Sequence, residues 1–397
     1  MTNPRRMQMA TAGQAGEWDV SAGTLWTWGI DANGALGQGT HETTKSVPTQ
    51  VGSDEDWVVT ASGVGAATNA IKSDGTLWTW GTQVHGQLGD GTAIGSGYNR
   101  SSPAQVGAAT NWGSLADDQR MTIGCYKHTA AVRQDGTLWT WGNGGEGRLG
   151  HGNTTTLSVV TQVGSLTNWQ HVVCGIESTY AIKSDGTLWG WGTNSNGQLG
   201  QGDTTNRSSP VQLGSATNWT QVASGYYHTL AINSSGQLWV CGHGGEGRLG
   251  TGNTTGLSSL TQVGSLTDWA KLGAGGEHSL AIKTGGTLWT WGNGYHGNLG
   301  HGGTIGSGLN KSSPTQVGSY SDWIEISGEW SNDSHGIRLS GGGNSGTLWS
   351  WGTNSQYNSG TGNTTKTSVP TQVGSGTTWS DINKGNGQVN TAIIRIS

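Results

Sequence analysis

The feature that most limits the fold of this chain is the motif LWTWG, which recurs in seven near-identical copies. Successive copies are spaced by 52, 61, 50, 50, 50 and 60 residues along the 397-residue chain. Periods of this size are typical of propellers, solenoids and other repeat folds, in which each copy is one small structural unit. The copies begin at Leu25, Leu77, Leu138, Leu188, Leu238, Leu288 and Leu348.

One repeat, from 218 to 266, contains four strand-like pieces, WTQVASG, HTLAIN, QLWVCG and LTQVG. The second and third pieces are joined by SDG, QDG, SSG or TGG, which are turns typical of a two-residue β-hairpin. The third and fourth pieces are separated by a Gly/Asn/Thr-rich segment that predicts an ordered surface loop. With 73 glycines, 22 tryptophans and 11% charged residues, the composition excludes a helical or disordered chain. The fold predicted is therefore all-β.

Counting each piece separately gives seven copies of every strand and predicts a seven-bladed β-propeller of four-stranded blades. Seven first strands are marked by Trp57, Trp112, Trp169, Trp219, Trp269, Trp323 and Trp379. Because the chain starts at a third strand, 25–29, and stops after a second strand, 391–396, its N- and C-terminal strands must pair to close the ring. The segment 17–20 is an alternative occupant of the closing position. We expect residues 1–16 to form an N-terminal arm and residues 17–397 to form a single propeller.

The stretch GTLWGWGTNSNGQLGQGDTTNRSSPVQLGS, followed by GYYHTLAI, resembles the repeat of the RCC1 (regulator of chromosome condensation) family. The resemblance covers residues 17–397 and implies a propeller that binds other proteins, as inhibitors and exchange factors of this type do. Light-sensing propellers of the family carry GWRHT motifs. This chain has only GYYHT, CYKHT and GEHS at the corresponding places, so the Trp-Arg pair is missing.

Most tryptophans are predicted to pack between blades, because large aromatic residues in patterned strands normally belong to the core. Sugar stacking is the alternative role, and it predicts a Trp-rich lectin. Trp330, in the irregular segment GEWSNDSHG, is expected to be an exposed contact residue. Three cysteines, Cys125, Cys174 and Cys241, are expected to be small buried residues without a disulfide.

Histidine recurs at one position of the repeat, where it is either a metal ligand or a strand residue bonded to a neighbouring backbone group. Ala67 and Ser178 occupy this position in other copies, which favours the hydrogen-bonded role. Glu146 and Arg148 in a GGEGRLG loop are expected to form a surface ion pair. No catalytic motif is present. We therefore predict no enzyme activity, no catalytic residue, no cofactor and no metal. The histidines concerned are His128, His228, His278 and His335.

Two copies differ from the rest in one loop, where the longer spacings indicate insertions of ten or eleven residues. The segments are 92–103, TAIGSGYNRSSP, and 303–314, GTIGSGLNKSSP. Exposed Tyr and Arg often anchor interfaces, so these tips are candidate binding sites, with harmless loop growth as the alternative. The candidate residues are Tyr98, Asn99, Arg100, Leu309, Asn310 and Lys311.

The N-terminal segment RRMQMATAGQAG resembles the short arm of structural proteins from marine tailed phages. This resemblance implies a virion surface protein, of decoration or fibre type, that binds a capsid or tail protein through Arg5, Arg6, Met7 and Met9. The propeller would then contact a host surface protein or glycan. The alternative is a secreted or cytoplasmic protein-binding propeller. A net charge of −5 and the lack of any run of 18 apolar residues predict neither nucleic-acid binding nor membrane insertion.

Overall fold

The computed structural model describes residues 22–62, 67–113, 127–306, 309–340, 345–382 and 390–396, and almost all of their regular structure is β-strand. Short 3₁₀ turns occur at Ala32–Gly34, Ser96–Tyr98, Gly145–Gly147 and Gly245–Gly247. The strands are β1 (Thr24–Gly29), β2 (Lys45–Gln50), β3 (Trp57–Ser62), β4 (Ala67–Lys72), β5 (Leu77–Gly81), β6 (Arg100–Gln105), β7 (His128–Val132), β8 (Leu138–Gly142), β9 (Leu157–Gln162), β10 (Trp169–Cys174), β11 (Ser178–Lys183), β12 (Leu188–Gly192), β13 (Arg207–Gln212), β14 (Trp219–Ser224), β15 (His228–Asn233), β16 (Leu238–Gly242), β17 (Leu257–Gln262), β18 (Trp269–Ala274), β19 (His278–Lys283), β20 (Leu288–Gly292), β21 (Lys311–Gln316), β22 (Trp323–Gly328), β23 (Asp333–Leu339), β24 (Gly346–Gly352), β25 (Thr367–Gln372), β26 (Trp379–Ile382) and β27 (Asn390–Arg395).

These strands form the seven blades of a propeller. Blade 1 contains β3–β6, blade 2 contains β7–β9, blade 3 contains β10–β13, blade 4 contains β14–β17, blade 5 contains β18–β21, and blade 6 contains β22–β25. The first strand of blade 2 begins at the bridge between Trp112 and Arg133, and residues 114–126 lie outside the described part of the chain. Neighbouring strands within a blade are antiparallel, as the hairpin turns predict.

Blade 7 is built from both ends of the chain, in the order β26, β27, β1, β2. The central pairing is antiparallel and runs from Thr24 opposite Arg395 to Gly29 opposite Asn390. The predicted closure by the N- and C-terminal strands is therefore confirmed, with β27 in the closing position; the alternative segment 17–20 lies outside the described residues. Gly23 and Trp57 exchange backbone hydrogen bonds of 2.9 and 3.1 Å, which join blade 7 to blade 1.

The hairpin glycines position each blade against the next one. Gly136, in a QDG turn, has φ +77°, and a Cβ added there would lie 2.0 Å from the carbonyl oxygen of Thr167. Only glycine fits both the left-handed backbone and this close approach. The carbonyl of Gly136 in turn accepts the backbone N–H of Trp169 in blade 3, at 3.0 Å. The turn residue chosen by the hairpin therefore also provides a bond between blades.

The second Trp of the motif, present in six of the seven copies, is fully buried between blades, which confirms the predicted packing role of these residues. The indole N–H of Trp191 donates to the carbonyl of Arg148 in the preceding blade, at 2.9 Å, and the hydroxyl of Thr179 donates to the same oxygen at 2.8 Å. We call a backbone carbonyl that accepts a bond from this position of the next blade a latch carbonyl. The same indole bond is made by Trp80, Trp141, Trp291 and Trp351, to Ala35, Gln87, Arg248 and Asn298.

Candidate functional site

The alternating strand directions give the propeller two different faces. The connections from first to second strand and from third to fourth strand lie on one face, which we call the loop face. The hairpin turns between second and third strands and the links between blades lie on the opposite face, which we call the turn face. The Gly/Asn/Thr-rich segments of the repeat therefore all lie on the loop face.

Blades 1 and 5 have the longest of these loops. Residues 82–99 and 293–310 are 18 residues each, compared with 14 in 143–156, 193–206, 243–256 and 353–366. The insertions are where the sequence predicts them, but each adds four residues rather than ten or eleven. The rest of the extra spacing lies further along the chain, between Trp112 and His128 and between Trp323 and Leu348.

In the blade 1 loop, Asn99 braces the loop and Tyr98 is exposed. The Asn99 side chain accepts the backbone N–H of Gln83 at 2.9 Å and donates to Asn33 Oδ1 in blade 7 at 2.9 Å. Arg100 pairs with Asp90 of its own loop at 2.6 Å. Tyr98 is 50% exposed. The structure thus brings the three candidate residues together, with Tyr98 the most available for contact.

The blade 5 loop repeats this arrangement. Asn310 accepts the backbone N–H of Gly294 at 2.9 Å and donates to the carboxylate of Glu246 in blade 4. Leu309 and Lys311 beside it are half-buried. Tyr295 is 54% exposed, and its ring lies edge-on to that of His296 with centroids 5.0 Å apart.

The sequence reasoning missed the tips Val84–His85 and Tyr295–His296, which occupy matching positions in the two long loops. Both pairs stand where the other copies have a small residue (Gly, Ser or Ala) followed by Glu, Asn or Gln, and that difference is the signal that could have identified them. The Asn brace, by contrast, also occurs in blade 3, where Asn206 bonds to Asn194 and to Glu146. The brace is therefore not specific to blades 1 and 5, whose distinguishing features are their added length and the Val-His and Tyr-His tips.

Trp330 is buried, so its predicted exposure is wrong. Only 2% of its surface is accessible, because Tyr226 of blade 4 lies edge-on against it with ring centroids 4.8 Å apart. Gly276 of blade 5 lies beneath Tyr226, where an added Cβ would come within 2.9 Å of the tyrosine ring. The connecting segments of blades 4, 5 and 6 are thereby packed together at the loop face.

The recurring histidines form part of the bonds between blades. The Thr179 hydroxyl donates its hydrogen bond to the latch carbonyl of Arg148. His128 must therefore donate its Nε2–H to that hydroxyl, over 2.9 Å. His228 and His278 contact Ser279 and Ser334 in the same way. The predicted hydrogen-bonded role is confirmed, although the partner is a hydroxyl in these three cases and a backbone carbonyl, that of Asn358, only for His335. Burial lowers the pKa of His278 to about 3, which keeps the ring neutral.

Blade 6 adds a buried polar cluster around His335. The Glu329 carboxylate lies 3.5 Å from His335 Nδ1, but burial prevails and lowers the pKa of His335 to about 4. Burial also raises the pKa of Asp333 to about 6, although Asp333 accepts the backbone N–H of Asn354 at 2.7 Å. Ser331 bridges the two carboxylates. These groups hold the loop together and are closed off from solvent.

The predicted surface ion pair between Glu146 and Arg148 is not formed. Arg148 is buried, donates to the carbonyl of Gly145 at 2.7 Å and pairs with Glu177 of blade 3 at 3.2 Å. Glu146 instead accepts a hydrogen bond from Asn206. Arg148 therefore pairs with a residue of the next repeat, Glu177, and not with Glu146, which is two positions away in the chain.

The turn face carries a recurring stack of two indoles and one cation. In blade 3, Lys183 Nζ lies 4.7 Å from the ring centroid of Trp169 and 3.6 Å from that of Trp189. A cation over the face of an indole is attracted by the negative charge of that face. The cations of the other stacks are Lys72, Arg133, Lys283, Arg338 and Arg395.

Several predicted features lie outside the described residues, namely Arg5, Arg6, Met7, Met9 and Cys125. Cys174 and Cys241 are buried free thiols, as expected, and the thiol of Cys241 replaces an indole at the latch carbonyl of Gln198, at 3.2 Å. Among the described residues, no group of three or more His, Cys, Asp or Glu is placed to hold a metal ion. Nor does any helix in this part of the chain have the length and apolar character needed to cross a membrane.

Residues 18–332 match the family model of the RCC1-like domain. The chain belongs to the RCC1-like domain family. It is 31% identical over 157 residues to the ultraviolet-B receptor UVR8 of Arabidopsis thaliana, a stretch that is 38% of this chain and 33% of the receptor. It is also 33% identical over 138 residues to the human E3 ubiquitin-protein ligase HERC2, which is 34% of this chain and 3% of the ligase. The RCC1-like chain thus spans a third or less of these relatives.

Solved structures show the same fold along nearly the whole RCC1-like chain. Human WBSCR16 superimposes with a TM-score of 0.79 at 19% identity and covers 94% of this chain and 100% of its own. Prp20p from Saccharomyces cerevisiae, whose structure was described with its binding to Gsp1p and histones, gives 0.78 at 18% identity and covers 95% and 93%. Yeast RCC1 (Prp20) bound to Kap60 gives 0.80 at 17% identity and covers 100% and 97%.

Proposed function

We propose that this RCC1-like propeller is a non-enzymatic protein-binding module that contacts its partner through the loop face. The observation that carries the proposal is the pair of matched long loops, 82–99 and 293–310. Each loop is braced to the preceding blade by an asparagine, and each presents an exposed tyrosine, Tyr98 or Tyr295. Rigid aromatic side chains on a braced backbone lose little entropy on binding, which is the property expected of interface anchors.

The structural neighbours support a protein partner. Yeast Prp20 is described with Gsp1p, histones and Kap60, although these similarities extend only to the fold at below 20% identity. Ligase activity does not transfer, because the match covers 3% of HERC2. The buried histidines and carboxylates are engaged in bonds between blades or within loops, so they provide no accessible acid, base or nucleophile in the described part of the chain.

The experiment compares affinity enrichment from extracts of the source organism by the native chain and by a loop-trimmed variant. In that variant, 82–99 and 293–310 are each replaced by the 14-residue sequence of 193–206, which keeps the asparagine brace. In the matched control, residues 143–156 are replaced by the sequence of 243–256, which has the same length. We expect one or a few proteins to be enriched by the native chain and the control and lost with the trimmed variant. Equal enrichment by all three would contradict the proposal.

Two other functions remain predictions from the sequence. Display on a virion, through binding of Arg5, Arg6, Met7 and Met9 to a capsid or tail protein, is tested by deleting residues 1–16 and measuring attachment to particles. Glycan binding by tryptophan is tested by saccharide-dependent quenching of indole fluorescence. Quenching that persists in the loop-trimmed variant would favour the lectin over the loop-face interface.

A further inference from the structure

Blade 4 departs from the indole-cation stack of the turn face. In the six other blades a Lys or Arg at the end of the second strand lies over the indoles. Blade 4 has Asn233 at this position, and no cation of the described residues lies over Trp219 or Trp239. The Asn233 side chain is turned toward its own hairpin, where it accepts the backbone N–H of Ser235 and of Gln237 and donates to Gln237 Oε1.

The two indoles nevertheless keep the arrangement of the cation-bearing blades. The Trp219–Trp239 centroids are 5.9 Å apart, compared with 6.0 Å around Lys183 and 5.9 Å around Lys283. The residues on both sides of Trp219 are exposed, whereas their counterparts in the other blades are half-buried or buried. The pair is therefore preorganised for a cation that none of the described residues supplies.

The other blades indicate which cation fits. Each stacked lysine has a carboxylate near it: Asp54 and Asp56 for Lys72, Asp185 for Lys183, and Asp268 for Lys283. Of the stacked arginines, Arg338 pairs with Asp322 and Arg133 lies near Asp135. Arg395 of blade 7, however, stacks with no carboxylate partner among the described residues, and its guanidinium bonds to Thr378. Blade 4 likewise has no carboxylate at these places. Asn218 stands where blade 5 has Asp268, and Ser235 stands where blade 3 has Asp185.

We propose that Trp219 and Trp239 form a recognition site for an arginine side chain of a partner protein. A guanidinium is weakly hydrated, always charged and stacks on aromatic faces, so it needs no carboxylate to leave water, unlike a compact ammonium. Gln237 Oε1, at the edge of the pair, can accept one of its N–H groups. The site lies on the turn face and is independent of the long loops on the opposite face.

The test follows the indole ¹H–¹⁵N resonances of the full chain during titration with the capped tripeptide Gly-Arg-Gly, compared with Gly-citrulline-Gly and Gly-Lys-Gly. The Trp239 resonance is assigned by its loss in Trp239→Phe. We expect saturable shifts at Trp219 and Trp239 with the arginine peptide, at least threefold weaker binding of the lysine peptide, and no saturable shift with the neutral citrulline peptide.

The deciding variant is Asn233→Lys with Gln237→Thr. It gives blade 4 the Lys and Thr that blades 3 and 5 have at these two positions, and so provides an internal cation. Its remaining indole resonances report whether the fold is retained. We expect the shift caused by the arginine peptide to disappear in this variant and to persist in the control Lys183→Arg. Arginine-induced shifts of equal size in the double variant, or no shift in the native chain, would overturn the proposal. Failure of the loop-trimming experiment would leave this site unaffected.

Discussion

Tyr226 of blade 4 and Trp330 of blade 6 form an edge-on aromatic pair across the intervening blade, and the Tyr226 hydroxyl donates to the carbonyl of Trp330 at 3.3 Å. The backbone N–H of Tyr226 also donates to the carbonyl of Gly276 in blade 5, at 3.1 Å. This one residue therefore links three consecutive blades, and its ring covers an indole that the sequence alone predicts to be exposed.

Replacing Tyr226 by Ala should expose Trp330 and lower the free energy of unfolding by about 1 kcal/mol from the ring pair alone. The measurement is acrylamide quenching of tryptophan fluorescence, which should increase in Tyr226→Ala and not in Tyr226→Ala/Trp330→Phe. Tyr227→Ala is the control, because Tyr227 is already 37% exposed. Unchanged quenching in Tyr226→Ala would show that another group covers the indole.

Replacing Thr179 by Val should destabilise the protein by about 1–3 kcal/mol, because His128 Nε2 and the latch carbonyl of Arg148 would lose a buried partner. Denaturant unfolding provides the measurement. The matched control is Thr154→Val on an exposed loop, which we expect to change stability by less than about 0.5 kcal/mol. An equal effect of the two substitutions would show that the latch contributes nothing specific.

Acidification should destabilise the protein through its buried histidines. The folded pKa of His278 is about 3 and that of His335 about 4, below the ordinary value of 6.5. Between the folded and unfolded pKa values the unfolded chain binds more protons, so stability falls as pH falls from about 6.5, by about 1.4 kcal/mol per unit for each site. Urea unfolding at pH 7 and pH 5 should show a smaller loss in His278→Gln than in the native chain.

Asp333 should act in the opposite direction. Its folded pKa of about 6 lies above the ordinary 3.8, so between these values the folded state binds more protons and stability rises as pH falls. Asp333→Asn removes this gain, and we therefore expect its loss of stability between pH 6 and pH 4 to be larger than that of the native chain. An equal loss in the two proteins would mean that Asp333 titrates in the folded protein as it does in the unfolded chain.

The closing blade should be as important to stability as an ordinary one, although it is formed by the two ends of the chain. Ile394 of β27 is 1% exposed and Ile282 of blade 5 is 3% exposed. Ile394→Ala and Ile282→Ala should each cost about 2–5 kcal/mol by leaving a cavity. A loss below about 0.5 kcal/mol for Ile394→Ala alone would show that blade 7 does not hold the ring closed.

The sequence was sufficient to predict the blades and the closing strands, because LWTWG and the hairpin glycines are local signals repeated in register. Contacts between blades were beyond it. Trp330 is covered by a tyrosine 104 residues away, and Arg148 pairs with Glu177 of the next repeat rather than with nearby Glu146. The exact loop lengths could not be predicted without the strand boundaries. Additional residues between Trp323 and Leu348 lengthen the spacing between two LWTWG copies just as a longer loop does.

Hydrogen exchange on the complex with the enriched partner will show whether the long loops of the loop face bind a protein. We predict slower exchange in 82–99 and 293–310 on binding, and no change in 143–156 or in the outer strands. Protection confined to the turn face or to the outer strands, with both long loops exchanging as in the free protein, would rule out an interface on the loop face.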